Sequence, residues 1–141
     1  MATTNPIQIT VENTVNASVE KAWNFYTGTE HITKWNSASD DWHTPSAEND
    51  LRTGGKFSSR MEAKDGSMGF DFGGVYDDVK TNQLIAYTME DGRKAKVNFT
   101  AQGNTTTITI TFDAETQNSV ELQQGGWQAI LDNFKKYTEA T

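Results

Sequence analysis

In six stretches ahead of residue 113 the apolar residues return at every second position, and beyond residue 120 they return at helical spacing. That change of period constrains the fold more than any other feature of the chain. The last segment carries Trp127, Ile130, Leu131, Phe134 and Tyr137 on one stripe of a helix. Asn118 followed by Glu121 has the form of a capping box and predicts the helix start. Gly125 and Gly126 lie inside the helix. Each costs about 1 kcal/mol relative to alanine, which predicts a close approach to something at that point.

The alternating stretches read as strands. Ile7, Ile9, Val11, Asn13 and Val15 form the first inward set. Asn16 or Ser18 can cap a helix whose apolar face holds Val19, Ala22, Trp23 and Tyr26, ended by Gly28. Thr29 can cap a second short helix running from Glu30 to about Lys34, with Ile32 and Trp35 inward. Residues 36–51 are polar and irregular, contain Pro45, and read as a long loop. From Thr53 onward the chain reads as a meander. Its inward sets are Phe57, Ser59 and Met61; Met68, Phe70 and Phe72; Ile85, Tyr87 and Met89; Ala95, Val97 and Phe99; and Ile108, Ile110 and Phe112. Asp65-Gly66, Asn82, Asp91-Gly92 and Gly103-Asn104 mark its turns, and Gly73-Gly74 predicts a bulge. The order is strand, two short helices, five strands, long helix. The expected fold is α+β, a curved six-stranded antiparallel sheet around the C-terminal helix, because a sheet with one wet face needs cover on the other.

Composition narrows the function classes. The chain has 141 residues, enough for one domain over 1–141 that buries roughly 68% of its unfolded surface without staples. With no cysteine there is no disulfide, thiol nucleophile or thiolate metal site, a usage that fits the cytoplasm. The formal charge of −7, with its cations scattered, disfavours nucleic acid and anionic membranes as partners. Met1–Pro6 lacks the basic start and apolar run of a signal peptide, and no stretch approaches the ~18 apolar residues of a membrane span.

The order of elements is similar to the helix-grip fold of the START-like superfamily. Within it, the chain resembles the proteins named for homologue 1 of the activator of the heat-shock-protein ATPase. The resemblance is carried by Val19-Glu20-Lys21-Ala22-Trp23, by His31 to Trp35, by Leu51 to Phe57 with its Gly54-Gly55, by Gly74-Val75-Tyr76, and by Gly126-Trp127 followed by Leu131-Asp132-Asn133-Phe134. These patterns keep their order over nearly the whole chain, although Pro45 is the lone proline in a loop that such proteins fill more richly. The resemblance implies a cavity between sheet and helix, and several roles hosted by one fold.

The expected cavity has Phe57, Phe70, Phe72 and Tyr87 as its floor, with Met61 and Met89 beside them, and Trp127, Ile130, Leu131 and Phe134 as its roof. The segment from Trp35 to Trp42, with His43, is its expected mouth, and Ser59, Tyr76 and Tyr87 supply hydroxyls. Such a site takes a small apolar or amphipathic ligand. No catalytic residue is expected. The carboxylate pairs Asp40-Asp41 and Asp77-Asp78 are adjacent in sequence and read as wet, no serine sits in a nucleophile elbow, and a cyclase or hydrolase would have only Tyr76, Tyr87 and His43 to work with. His31 reads as a solvent-facing imidazole, and two histidines without HxxxH or HExxH spacing predict no metal. No cofactor motif is present. A chaperone partner, implied by the family's name, ranks low because such activators add an N-terminal module and this chain starts almost at its first strand.

Overall fold

The computed structural model describes residues 7–37 and 40–141. Met1–Pro6, read above as a start without a signal-peptide pattern, and residues 38–39 of the expected mouth lie outside the described residues. The elements are β1 (Gln8–Val15), α1 (Val19–Thr27), α2 (Thr29–Trp35), β2 (Trp42–Asn49), β3 (Lys56–Ala63), β4 (Gly69–Lys80), β5 (Leu84–Met89), β6 (Lys94–Gln102), β7 (Thr105–Asp113) and α3 (Val120–Ala140). The strands form one antiparallel sheet in the order β1-β7-β6-β5-β4-β3-β2, curled into a half-barrel.

The sheet therefore has seven strands where the sequence predicts six. The extra strand is β2, which occupies half of the expected loop and pairs with β3. Its sequence, Trp-His-Thr-Pro-Ser-Ala-Glu-Asn, has no run of alternating apolar residues, so periodicity cannot reveal it. It is an edge strand with a register shift between His43 and Ser46, and this is where Pro45 is tolerated.

Cap positions also differ in detail. Ser18, not Asn16, caps α1, its Oγ accepting from the Lys21 amide at 3.2 Å. Asn16 instead donates its amide to the Glu139 carboxylate. Gly28 occupies the N-cap of α2, and Thr29 is its first residue. The N-cap expected at Asn118 is displaced by one residue and the capping box does not form: Ser119 Oγ accepts from the Leu122 amide at 3.1 Å, while Asn118 bonds Glu115.

The Gly73-Gly74 pair holds regular register against β3, and the irregularity falls later, between Tyr76 and Asp78. These glycines serve close approach instead. A Cβ on Gly73 would lie 2.5 Å from the Phe57 carbonyl oxygen, and one on Gly74 would lie 2.2 Å from that of Thr88. The opposite holds at Gly125 and Gly126, where a Cβ would meet nothing within 4 Å, so the predicted close approach on α3 does not exist. The same substitution should thus have opposite signs. Gly125→Ala is expected to stabilise the fold by about 1 kcal/mol, and Gly74→Ala to destabilise it by about 1–3 kcal/mol. Paired urea titrations check both.

The core follows the inward sets. Val15, Val97, Ile108, Phe112 and Phe134 are fully buried. On the outer face threonines pair across strands, Thr10 with Thr111 and Thr14 with Thr107. Helix α3 runs along the β1 edge. Gln124, Gln128 and Lys135 donate to the carbonyls of Thr10, Glu12 and Thr14. These are alternate carbonyls of the edge strand, and α3 thereby blocks further strand pairing there. It also packs against α1 and α2. Helix α3 is therefore held over one half of the concave face, and the β3–β4 half lacks its close cover.

Candidate functional site

The uncovered half of the concave face forms a cavity of about 370 Å³. Strands β3 and β4 contribute Phe57, Ser59, Met61, Phe70, Phe72 and Tyr76; β5 contributes Ile85 and Tyr87; α3 contributes Trp127, Ile130 and Leu131 across the gap. Trp35 of α2 also lines it. The rings brace one another. Phe57 lies 5.0 Å from Tyr76 and 4.9 Å from Tyr87. Trp127 stacks on Phe112 at 3.8 Å and meets Phe72 edge-on at 6.2 Å, so one indole joins sheet to helix. Phe70 lines the cavity yet is 48% exposed, which marks the side where the hollow meets solvent.

Four residues assigned to the cavity by sequence lie elsewhere. Phe134 is fully buried behind it, between Tyr26 and Trp35. Met89 is in the core. Trp42 packs on Phe70, 5.9 Å away, without lining the cavity, and His43 is half-exposed with Nε2 3.8 Å from Glu62. Both belong to the edge strand, whose direction the loop reading could not supply. His31 is not solvent-facing either: its ring stacks on Phe25 at 4.0 Å and its Nδ1 is 2.7 Å from the Tyr137 hydroxyl, joining α2 to α3. Met68 precedes β4 and is exposed. Asp77 and Asp78 lie outside the cavity, bonded to Thr88 and near Lys80 respectively.

The sequence reading missed the polar ends. At one end, Tyr76 donates to Asn49 Oδ1 at 2.5 Å, and Asn49 Nδ2 donates to the Thr27 carbonyl at 2.8 Å, tying β4 through β2 to α1. Tyr26, Thr27, Ile32 and Asn36 complete that end. Tyr26 was visible on the α1 stripe, whereas Asn49 was hidden with its strand. At the other end stand Arg93, Glu115, Asn118 and Gln123, and Ile110 also lines the wall. Gln123 is 8% exposed, and its amide bonds Glu115 and Asn118 backbone groups, which pins residues 115–118 to the first turn of α3. The Arg93 Nε donates to Asp91 at 2.7 Å and its Nη1 to the Asp113 carbonyl.

The electrostatics follow from burial. Burial pushes the Tyr26 phenol well above its ordinary value, and nearby Tyr76 adds to the effect. Burial likewise raises Tyr76, opposed by its bond to Asn49 and reinforced by Asp50. Tyr87 is raised by burial, then by Tyr26 and Tyr76, with Arg93 pulling weakly the other way. The three phenols thus stay neutral and sense one another. Among the described residues no three histidines or carboxylates converge as a metal site. No described helix is long and apolar enough to cross a membrane.

A curled antiparallel sheet gripping a C-terminal helix, with two short helices after the first strand, defines a helix-grip, START-like domain. The family model "Activator of Hsp90 ATPase homolog 1-like protein" matches residues 16–139, and the chain belongs to that family. Among solved structures it is similar to the AHSA1-like protein from Aeromonas hydrophila, at 42% identity and a TM-score of 0.89, covering 95% of this chain and 93% of that one. It is also similar to Chr148 from Cytophaga hutchinsonii, at 59% identity and a TM-score of 0.82, covering 94% of this chain and 92% of that one. Protein CV1439 from Chromobacterium violaceum shares the fold at 18% identity and a TM-score of 0.83, covering 95% of this chain and 99% of that one. No curated protein matches the chain.

Proposed function

We propose that residues 1–141 act as one cytoplasmic, non-catalytic binding domain that holds a small apolar or amphipathic molecule between the sheet and α3. The observation that carries this reading is the cavity itself. Its wall is built of Phe57, Met61, Phe72, Trp127, Ile130 and Leu131, with hydrogen-bonding groups confined to a few points. That is the chemistry of small-molecule sites, which are mostly apolar with a few placed polar groups. The bracing of the rings supports it too, because a wall held by Phe112 and Phe57 is organised before a ligand arrives.

Native mass spectrometry of the protein recovered from several hosts, followed by a panel of lipids and aromatic compounds, tests the reading. The expected result is retention of apolar or amphipathic molecules by the native chain and reduced retention by Ile130→Trp, which puts a larger ring into the gap. A chain that binds nothing in the panel, or an Ile130→Trp variant that binds as well as the native protein, would contradict it.

A further inference from the structure

Two hydroxyls that open onto the cavity wall have no protein partner. Tyr87 is 7% exposed and Ser59 6% exposed, and both line the cavity. Neither side chain is hydrogen-bonded to another described residue. They differ from Thr138, whose hydroxyl is sealed in the core, because theirs face open volume. They differ also from Tyr76, whose hydroxyl is committed to Asn49. A hydroxyl that opens onto an apolar hollow and has no protein partner is a point where a suitably placed ligand atom gains a hydrogen bond in a site of low polarity.

The charges around these hydroxyls restrict what that atom can be. Arg93 is the cation whose charge reaches the Tyr87 phenol, and it is already engaged by Asp91 and by the Asp113 carbonyl. Glu115, the carboxylate on the wall, accepts from the Gln117 and Asn118 amides. Asp50 acts on the neighbouring Tyr76. A ligand carboxylate would therefore lose its hydration and meet only a cation whose charge Asp91 already offsets, which is unfavourable in a site of this polarity. The same environment keeps the three phenols protonated.

Resting on the binding role proposed above, we infer that the cavity selects an uncharged ligand bearing a hydroxyl or carbonyl oxygen on an apolar body, anchored by the Tyr87 hydroxyl with Ser59 as a second hydrogen-bonding point, and rejects the carboxylate of the same shape. Naphthalene, naphthol and naphthoate, the last two substituted at the same ring position, separate the terms at neutral pH. They share one ring system and differ in whether the substituent is absent, neutral or charged. Calorimetric titration of the native protein should show naphthol binding about tenfold more tightly than naphthalene, the worth of one or two net hydrogen bonds. Naphthoate should bind more weakly than naphthalene.

Tyr87→Phe should bring naphthol down to the level of naphthalene while leaving naphthalene unchanged. This variant removes a hydroxyl without a protein partner, so its unfolding free energy should equal or exceed that of the native chain. Ser59→Ala reports independently on the second point and should reduce the naphthol advantage in part. Naphthoate binding as tightly as naphthol, naphthol gaining nothing over naphthalene, or a naphthol preference that survives both substitutions would overturn the inference while the binding role stands. Failure of all three probes to bind would overturn the binding role and the inference together.

Discussion

Phe134→Ala is expected to destabilise the fold by about 3–5 kcal/mol, the range for a fully buried phenylalanine. The ring is 0% exposed and sits edge-on to two others, 5.2 Å from Tyr26 and 5.1 Å from Trp35. It fastens α3 to both short helices. The effect should lie near the top of its range, because the void would be walled by rigid rings that fill it poorly. Urea unfolding should show a lower midpoint with an unchanged slope. Phe70→Ala is the control: Phe70 is 48% exposed, and a loss under about 1 kcal/mol is expected there. A loss at Phe134 no larger than at Phe70 would mean that α3 is not held where the structure places it.

The second large effect is alkaline. A phenol whose ionisation is raised in the folded chain favours the folded state while protonated. Its contribution is fully present below about pH 10, the ordinary tyrosine value, and is lost as the pH rises from there towards the folded value. Tyr26, Tyr76 and Tyr87 are all raised, in each case first by burial. Each deprotonation withheld by the folded state contributes a slope of about 1.4 kcal/mol per pH unit, so three approach about 4 kcal/mol per unit at the steepest. They titrate as a coupled set, since ionising one disfavours the next. Denaturant titrations between about pH 8 and pH 11 should show a plateau followed by a steep fall. Tyr87→Phe should flatten the fall by roughly a third, one phenol of three. Stability unchanged up to about pH 11 would show that the phenols are not buried together.

The fold was legible wherever one face of an element is apolar. Strands β1, β3, β5, β6 and β7 alternate cleanly, and the α3 stripe repeats at helical spacing, because each buries a single face. Strand β2 was not legible. Its inward positions include Thr44 and Asn49, whose polar atoms bond Asn36 and Thr27 backbone carbonyls, so burial there left no apolar signature. The same blindness removed Asn49 from the expected site. Sequence could place Phe57, Phe72 and Trp127 on inward faces, but not tell cavity wall from core. Phe134 and Trp127 share one stripe, yet Phe134 faces two helices and Trp127 faces the gap, a distinction set by where α3 docks on β1. Arg93 and Gln123 reach the cavity from turns and helix ends, where periodicity carries no information. The glycines were legible as special positions but not in kind: Gly73 and Gly74 mark close backbone approach, and Gly125 and Gly126 mark open space.

The binding role is tested most directly by the indole N–H resonances during titration with naphthol. The chain has four tryptophans, and they form a built-in map. Trp35 and Trp127 line the cavity, Trp23 is buried in the core away from it, and Trp42 packs on Phe70 without lining it. A ligand between sheet and helix should shift the Trp127 and Trp35 signals together and saturably, and leave Trp23 and Trp42 nearly unmoved. Shifts confined to Trp42, or four signals that remain unchanged at saturating probe, would contradict the account.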